Sequence, residues 1–62
     1  MSRNSELIRD ELKAMLDLKM IGKKRYDKAI AYVDANPDEI ADYSAMRSAE
    51  MADLVLEVSN IN

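Results

Sequence analysis

The chain has no cysteine and no histidine, and only one glycine and one proline in 62 residues. The first two absences remove disulfides, Cys/His zinc sites, thiol nucleophiles and every His-dependent triad. A cysteine-free chain without a leader-like start is most simply intracellular, hence cytoplasmic. Met1-Ser2-Arg3-Asn4-Ser5-Glu6 lacks the apolar core of a signal peptide. No apolar run approaches the roughly 18 residues of a membrane span, so no membrane partner is expected. No Gly-rich phosphate loop, metal-ligand spacing or nucleophile beside a base can be assembled. Paired carboxylates occur at Asp38-Glu39 and at Asp53 with Glu57, but nothing marks them as more than a solvated face. The expectation is a protein that is not an enzyme and needs no cofactor or metal.

What is present is charge and helix-forming residues. Nine basic and twelve acidic side chains are interspersed, for a net charge of −3. That balance is too even for a DNA mimic and too acidic for a generic nucleic-acid binder. A single domain of this length buries only about 60% of its unfolded surface, so close helix packing or self-association has to support it.

The first helix is predicted over 5–20, with Asn4 preferred to Ser2 or Ser5 as its cap. Ile8, Leu12, Met15 and Leu16 form its main stripe, with Leu7, Ala14, Leu18 and Ile21 as a thinner second one. Gly22 is the ambiguous mark. Ile8, Leu12, Met15, Lys19, Gly22, Tyr26, Ala29 and Val33 keep a four-three spacing through it. A break at Ile21-Gly22 better explains a Lys and a Gly at the middle of that seam. The second helix is predicted over 23–35, with Tyr26, Ala29, Ile30 and Val33 inward. Tyr32 points elsewhere, as an ordinary exposed aromatic or an interface anchor. Asn36-Pro37 stops it, because the residue before proline is pushed out of the α region.

The strongest signal is the third helix, 37–59. Asn36 can cap it, Pro37 fits its first position, and Glu39 can complete a capping box. With no later Gly or Pro it is expected to run about 22 residues, roughly 33 Å. Ile40, Tyr43, Met51, Leu54, Val55 and Val58 make an apolar seam, and Glu39, Asp42, Glu50, Asp53 and Glu57 an acidic face. A third face is small: Ala41, Ala45, Ser48, Ala49, Ala52, Leu56 and Ser59. Alanine's helix propensity accounts for this face; a contact surface for another helix is the sharper alternative. Ala41, Ala45, Arg47, Ser48, Ala49, Ala52 and Leu56 are therefore the candidate protein interface. Arg47 lies on the seam, as a snorkelling edge residue or as a polar residue that fixes register or partner choice.

Lys19, Lys23, Lys24, Arg25 and Lys28 are the one basic concentration. A solvated turn facing the acidic arc of another helix or subunit is the default. Phosphate contacts beside Tyr26 are the alternative, but no base-reading element accompanies them, so direct nucleic-acid binding is not expected.

Leu12-Lys13-Ala14-Met15-Leu16-Asp17, Ile21, Tyr26-Asp27-Lys28 and Val33 resemble the SHOCT module, a short helical hairpin. Its usual acidic helix start is Lys23-Lys24-Arg25 here, and its turn glycine is displaced. The resemblance implies a hairpin with an interaction role. Asp38-Glu39, Tyr43-Ser44-Ala45 and Ala52-Asp53-Leu54 are similar to the long helix of the Hha/YmoA proteins, small partners of a nucleoid protein, although their Asp-His pair is missing. The Asp38-Glu39…Ala41-Asp42 start is also similar to helical-hairpin dimers of the Rop type, without a matching RNA-binding face.

The reading is an all-α, small antiparallel three-helix bundle in a single domain. A hairpin of 5–35 against 37–59, dimerising into a four-helix bundle, is the alternative. The expected function is a protein-interaction module, self-associating or binding a protein partner. Its size and composition suggest a phage or other mobile element. Alternatives are a Hha-type transcriptional regulator acting through a protein, and a minor structural subunit of an assembly such as a virion.

Overall fold

The computed structural model describes residues 2–61, apart from the side chain of Ile61. All of its regular structure is helical: α1 is Arg3–Asp17, α2 Lys23–Ala35, the short α3 Pro37–Ala41 and α4 Ser48–Ile61. α4 packs against both α1 and α2, and α3 sits against α1. The core takes Ile8 and Leu12 from α1, Ile21 from the turn, Ala29 and Val33 from α2, Ile40 from α3, and Met51, Ala52, Val55 and Leu56 from α4. The fold is a small helical bundle. The two-helix alternative does not form, because both long helices it requires are broken.

α1 begins earlier than predicted. Ser2, not Asn4, is its cap, and Ser2 Oγ accepts from the Ser5 N–H at 3.2 Å. Its far end closes by hydrogen bonds from Lys19 N to the Leu16 carbonyl (3.0 Å) and from Met20 N to the Met15 carbonyl (2.8 Å). This Schellman pattern requires a left-handed residue at its turn. Lys19 supplies it, with φ 61, where glycine is usual. Gly22 stands three residues on, in extended backbone that any residue adopts (φ −86, ψ 168), as the cap position of α2. The break expected at Ile21-Gly22 is present but begins earlier, because α1 ends at Asp17 rather than at residue 20, and Lys19 rather than Gly22 takes the left-handed position.

α2 has its predicted bounds. Asn36 both closes it and opens the next helix: its side-chain amide donates to the Tyr32 carbonyl at 3.0 Å, and its own carbonyl accepts from the Ile40 N–H at 3.1 Å. Pro37 takes the first position as expected, but the Asn36 side chain makes no capping bond to α3. Nor does Glu39 form a capping box; one of its carboxylate oxygens accepts from the hydroxyls of Tyr32 (2.7 Å) and Tyr43 (3.1 Å).

The continuous helix 37–59 is the main correction. The chain leaves α3 after Ala41 and re-enters a helix at Ser48, with Ala45 left-handed between them (φ 57). A straight rod of roughly 33 Å would exceed the molecule's longest extent of 28 Å. Folding back instead buries Ile40 (0% exposed) in the same core as Met51 and Val55. Asn4 secures the corner. Its amide donates to the carbonyls of Ile40 (3.0 Å) and Tyr43 (2.6 Å), which a continuous helix would pair with the N–H groups of residues 44 and 47. α4 then starts afresh. Arg47 is its cap residue, and its N–H donates to Glu50 Oε1 at 3.4 Å. Met46, packed on the core, and buried Met51 hold the two positions of a hydrophobic staple.

Candidate interaction surfaces

The break disperses the candidate interface. Ala52 and Leu56 are core residues, 0% and 5% exposed. Ser48 is half-buried, and its hydroxyl donates to Glu11 Oε1 at 3.1 Å. Ala41, Ala45, Arg47 and Ala49 are exposed, but Ala41 ends α3, Ala45 lies in the corner and Arg47 and Ala49 begin α4. Arg47 is thus exposed at the start of α4, cut off by the break from Ile40 at the other end of the expected seam. The small-residue reading holds inside the fold instead, where Ala29 of α2 and Ala52 of α4 are both fully buried.

A different surface collects small residues. An open groove of about 510 Å³ lies between α2 and the end of α4, lined by Lys28, Ala31, Tyr32, Ala35, Asn36 and Ser59. Its α2 wall is one helix face, since residues 28, 31, 32 and 35 are spaced by three and four. Ala31 and Ala35 are exposed and leave room above the backbone, and half-buried Tyr32 stands beside them. Glu39 holds the Tyr32 ring by accepting its hydroxyl, and that bond raises the Tyr32 pKa. For Tyr43 the pKa rises to about 12, through burial first and the Glu39 hydrogen bond second.

The five basic residues are all exposed, around the α1–α2 turn and along the first turns of α2. Lys23 pairs with Asp27 at 2.6 Å and lies 5.6 Å from the centre of the Tyr26 ring. Lys13, just before the turn, pairs with Asp17 at 2.8 Å, and that hydrogen bond raises its pKa. Among the described residues, Lys19, Lys24, Arg25 and Lys28 form no ion pair, so no acidic arc of the same chain answers them.

Sequence reasoning missed the two residues at the tip of this turn. Leu18 is 73% and Met20 63% exposed, the large apolar side chains that stand out among the described residues. Leu18 belongs to the thin second stripe only if α1 continues to residue 20; ending at Asp17 turns it outward. The signal was the run Leu18-Lys19-Met20-Ile21, which offers more apolar residues than one turn can bury.

None of the described helices is long and apolar enough to cross a membrane. Comparison with protein-family models, with curated proteins and with solved structures finds no match to this chain, so neither the SHOCT nor the Hha resemblance gains support from them.

Proposed function

We propose that the protein is a non-enzymatic interaction module that receives a helix of a protein partner in the groove between α2 and α4. The observation that carries this reading is the groove itself, about 510 Å³, floored by Ala31 and Ala35 and walled by Tyr32. Side chains this small let a second helix approach within the shorter end of the usual 8–10 Å interaxial range. Tyr32 provides a large, pre-oriented contact at low entropic cost, which is what interface anchors require. The groove replaces the third-helix face as the contact surface, because part of that face is consumed by the core.

The absence of cysteine makes the test direct. Ala35→Cys carries a single thiol for a photoactivatable cross-linker, and Asp53→Cys on exposed α4 surface is the control. In cells of the source organism, position 35 should cross-link to one protein species, or to a second copy, and position 53 should not. Adding Ala31→Arg to the probe should abolish that product while leaving the circular dichroism melt unchanged. Equal yields with and without Ala31→Arg would refute the groove as the contact.

A further inference from the structure

We propose that the α1–α2 turn is a peripheral attachment point for an anionic membrane surface, with Leu18 and Met20 entering the lipid interface and Lys19, Lys24 and Arg25 meeting its headgroups. This goes beyond the protein-binding groove and uses a different surface. The lack of a spanning run argues against crossing a bilayer; it has no bearing on a turn that rests on one.

Three observations converge on this turn. The first is apolar exposure: Leu18 and Met20 are 73% and 63% exposed, while the other large apolar side chains of the described residues are buried or half-buried. The second is rigidity. The two backbone hydrogen bonds that close α1 fix the turn, and Ile21, only 7% exposed, anchors it in the core. The backbone that carries Leu18 and Met20 is therefore held at the surface.

The third is charge. Residues 13–28 hold six cations and two anions, a local charge of +4, whereas the remaining residues hold three cations and ten anions, −7. Both anions of the basic stretch are already paired, Asp17 with Lys13 and Asp27 with Lys23. An anionic surface attracts this end and repels the rest, so the same field that draws the protein in also orients it turn-first. Each lysine or arginine near such a surface raises partitioning by about fivefold, an effect lost beyond a Debye length.

The apolar pair decides the class of partner. Phosphates along a nucleic acid would use the cations and leave Leu18 and Met20 in water. Leu18 and Met20 also stand out from the surface, at 73% and 63% exposed, so a protein would need an apolar pocket with an acidic rim to receive them. A bilayer offers an apolar interior under an anionic surface without matching a shape.

The experiment is vesicle binding by the full chain. The protein has no tryptophan, so Met20→Trp adds one fluorophore at the tip and keeps it apolar. Vesicles of phosphatidylserine and phosphatidylcholine should shift its emission to the blue and bring it within reach of brominated-lipid quenchers. Pure phosphatidylcholine should bind at least about tenfold more weakly, given two or more lost cation contacts. Cosedimentation of the native chain should fall by a similar factor in Leu18→Ser/Met20→Ser and in Lys24→Glu/Arg25→Glu. All four positions are exposed, so neither variant is expected to melt below the parent, and Lys24→Glu/Arg25→Glu, in the first turn of α2, should melt somewhat above it. Three results would overturn the proposal: no binding to phosphatidylserine vesicles at low salt, undiminished binding of Leu18→Ser/Met20→Ser, or tighter binding to duplex DNA than to vesicles at equal salt.

Discussion

Replacing Asn4 separates local from tertiary control of this fold. Asn4 lies in the first turn of α1, where Ala is a better helix former by about 0.5 kcal/mol and Asp gains about 0.3–1 kcal/mol from the helix dipole. Local reasoning alone therefore predicts that Asn4→Ala and Asn4→Asp both stabilise. The tertiary structure predicts the reverse. The Asn4 amide donates to the carbonyls of Ile40 and Tyr43, and each such bond contributes roughly 0.5–1.5 kcal/mol net. Subtracting the propensity gain leaves a loss of about 0.5–2.5 kcal/mol for Asn4→Ala. Asp has the shape of Asn but no proton to donate, and it turns its charge toward two carbonyl oxygens. Asn4→Asp should therefore cost at least as much near neutral pH. A chain of this length has about 3–9 kcal/mol of stability in total, so either loss is easily read. Urea unfolding followed by circular dichroism should show a lower midpoint at unchanged slope. If either variant is as stable as the parent or more so, Asn4 does not hold the α3–α4 corner, and the case for a broken third helix weakens with it.

Other expectations test the remaining corrections. Lys19→Gly relieves a left-handed residue worth about 1–2 kcal/mol against a glycine entropy cost of about 0.5–1 kcal/mol, so thermal melts should show a gain of about 0.5 kcal/mol. Gly22→Asp should stabilise by about 0.5–1.5 kcal/mol in the same assay. A Cβ at Gly22 meets no atom within 4 Å, and α2 lacks a side-chain cap ahead of its Lys23-Lys24-Arg25 start. Ala52→Leu forces a larger side chain into a fully buried site and should cost about 1–3 kcal/mol by urea unfolding. The Tyr43 pKa of about 12 lies above the ordinary phenol value of 10.0, so the unfolded chain loses this proton first as pH rises. Its contribution to stability is complete below pH 10 and falls between about 10 and 12. Stability measured across that window should decline less steeply in Tyr43→Phe than in the parent.

Legibility in the sequence followed the range of the interactions involved. The bounds of α2 were readable because Gly22 before it and Asn36-Pro37 after it act on adjacent residues. The α1–α2 break was readable from Lys19 and Gly22 in the seam. Which of the two would adopt left-handed backbone was not, because the closing hydrogen bonds choose the residue by its distance from the end of α1. Likewise Ser2 and Asn4 are both cap-type residues, and the sequence could not say which of them would cap α1 and which would serve a distant helix end. The candidate interface was dispersed for a related reason. Its residues share a face only on an unbroken helix, and Leu18 and Met20 became a site only once α1 ended at Asp17.

By itself, then, the sequence determined the all-helical class, the punctuation at Gly22 and Asn36-Pro37, and the basic stretch in an acidic chain, since each is a property of neighbouring residues. The tertiary structure alone decided that the best-signalled helix would break. Its propensity favoured a rod, but Ile40 could reach the core shared by α1, α2 and α4 only if the chain turned at Asp42–Arg47, and Asn4, far away in sequence, was there to satisfy the carbonyls that the turn released.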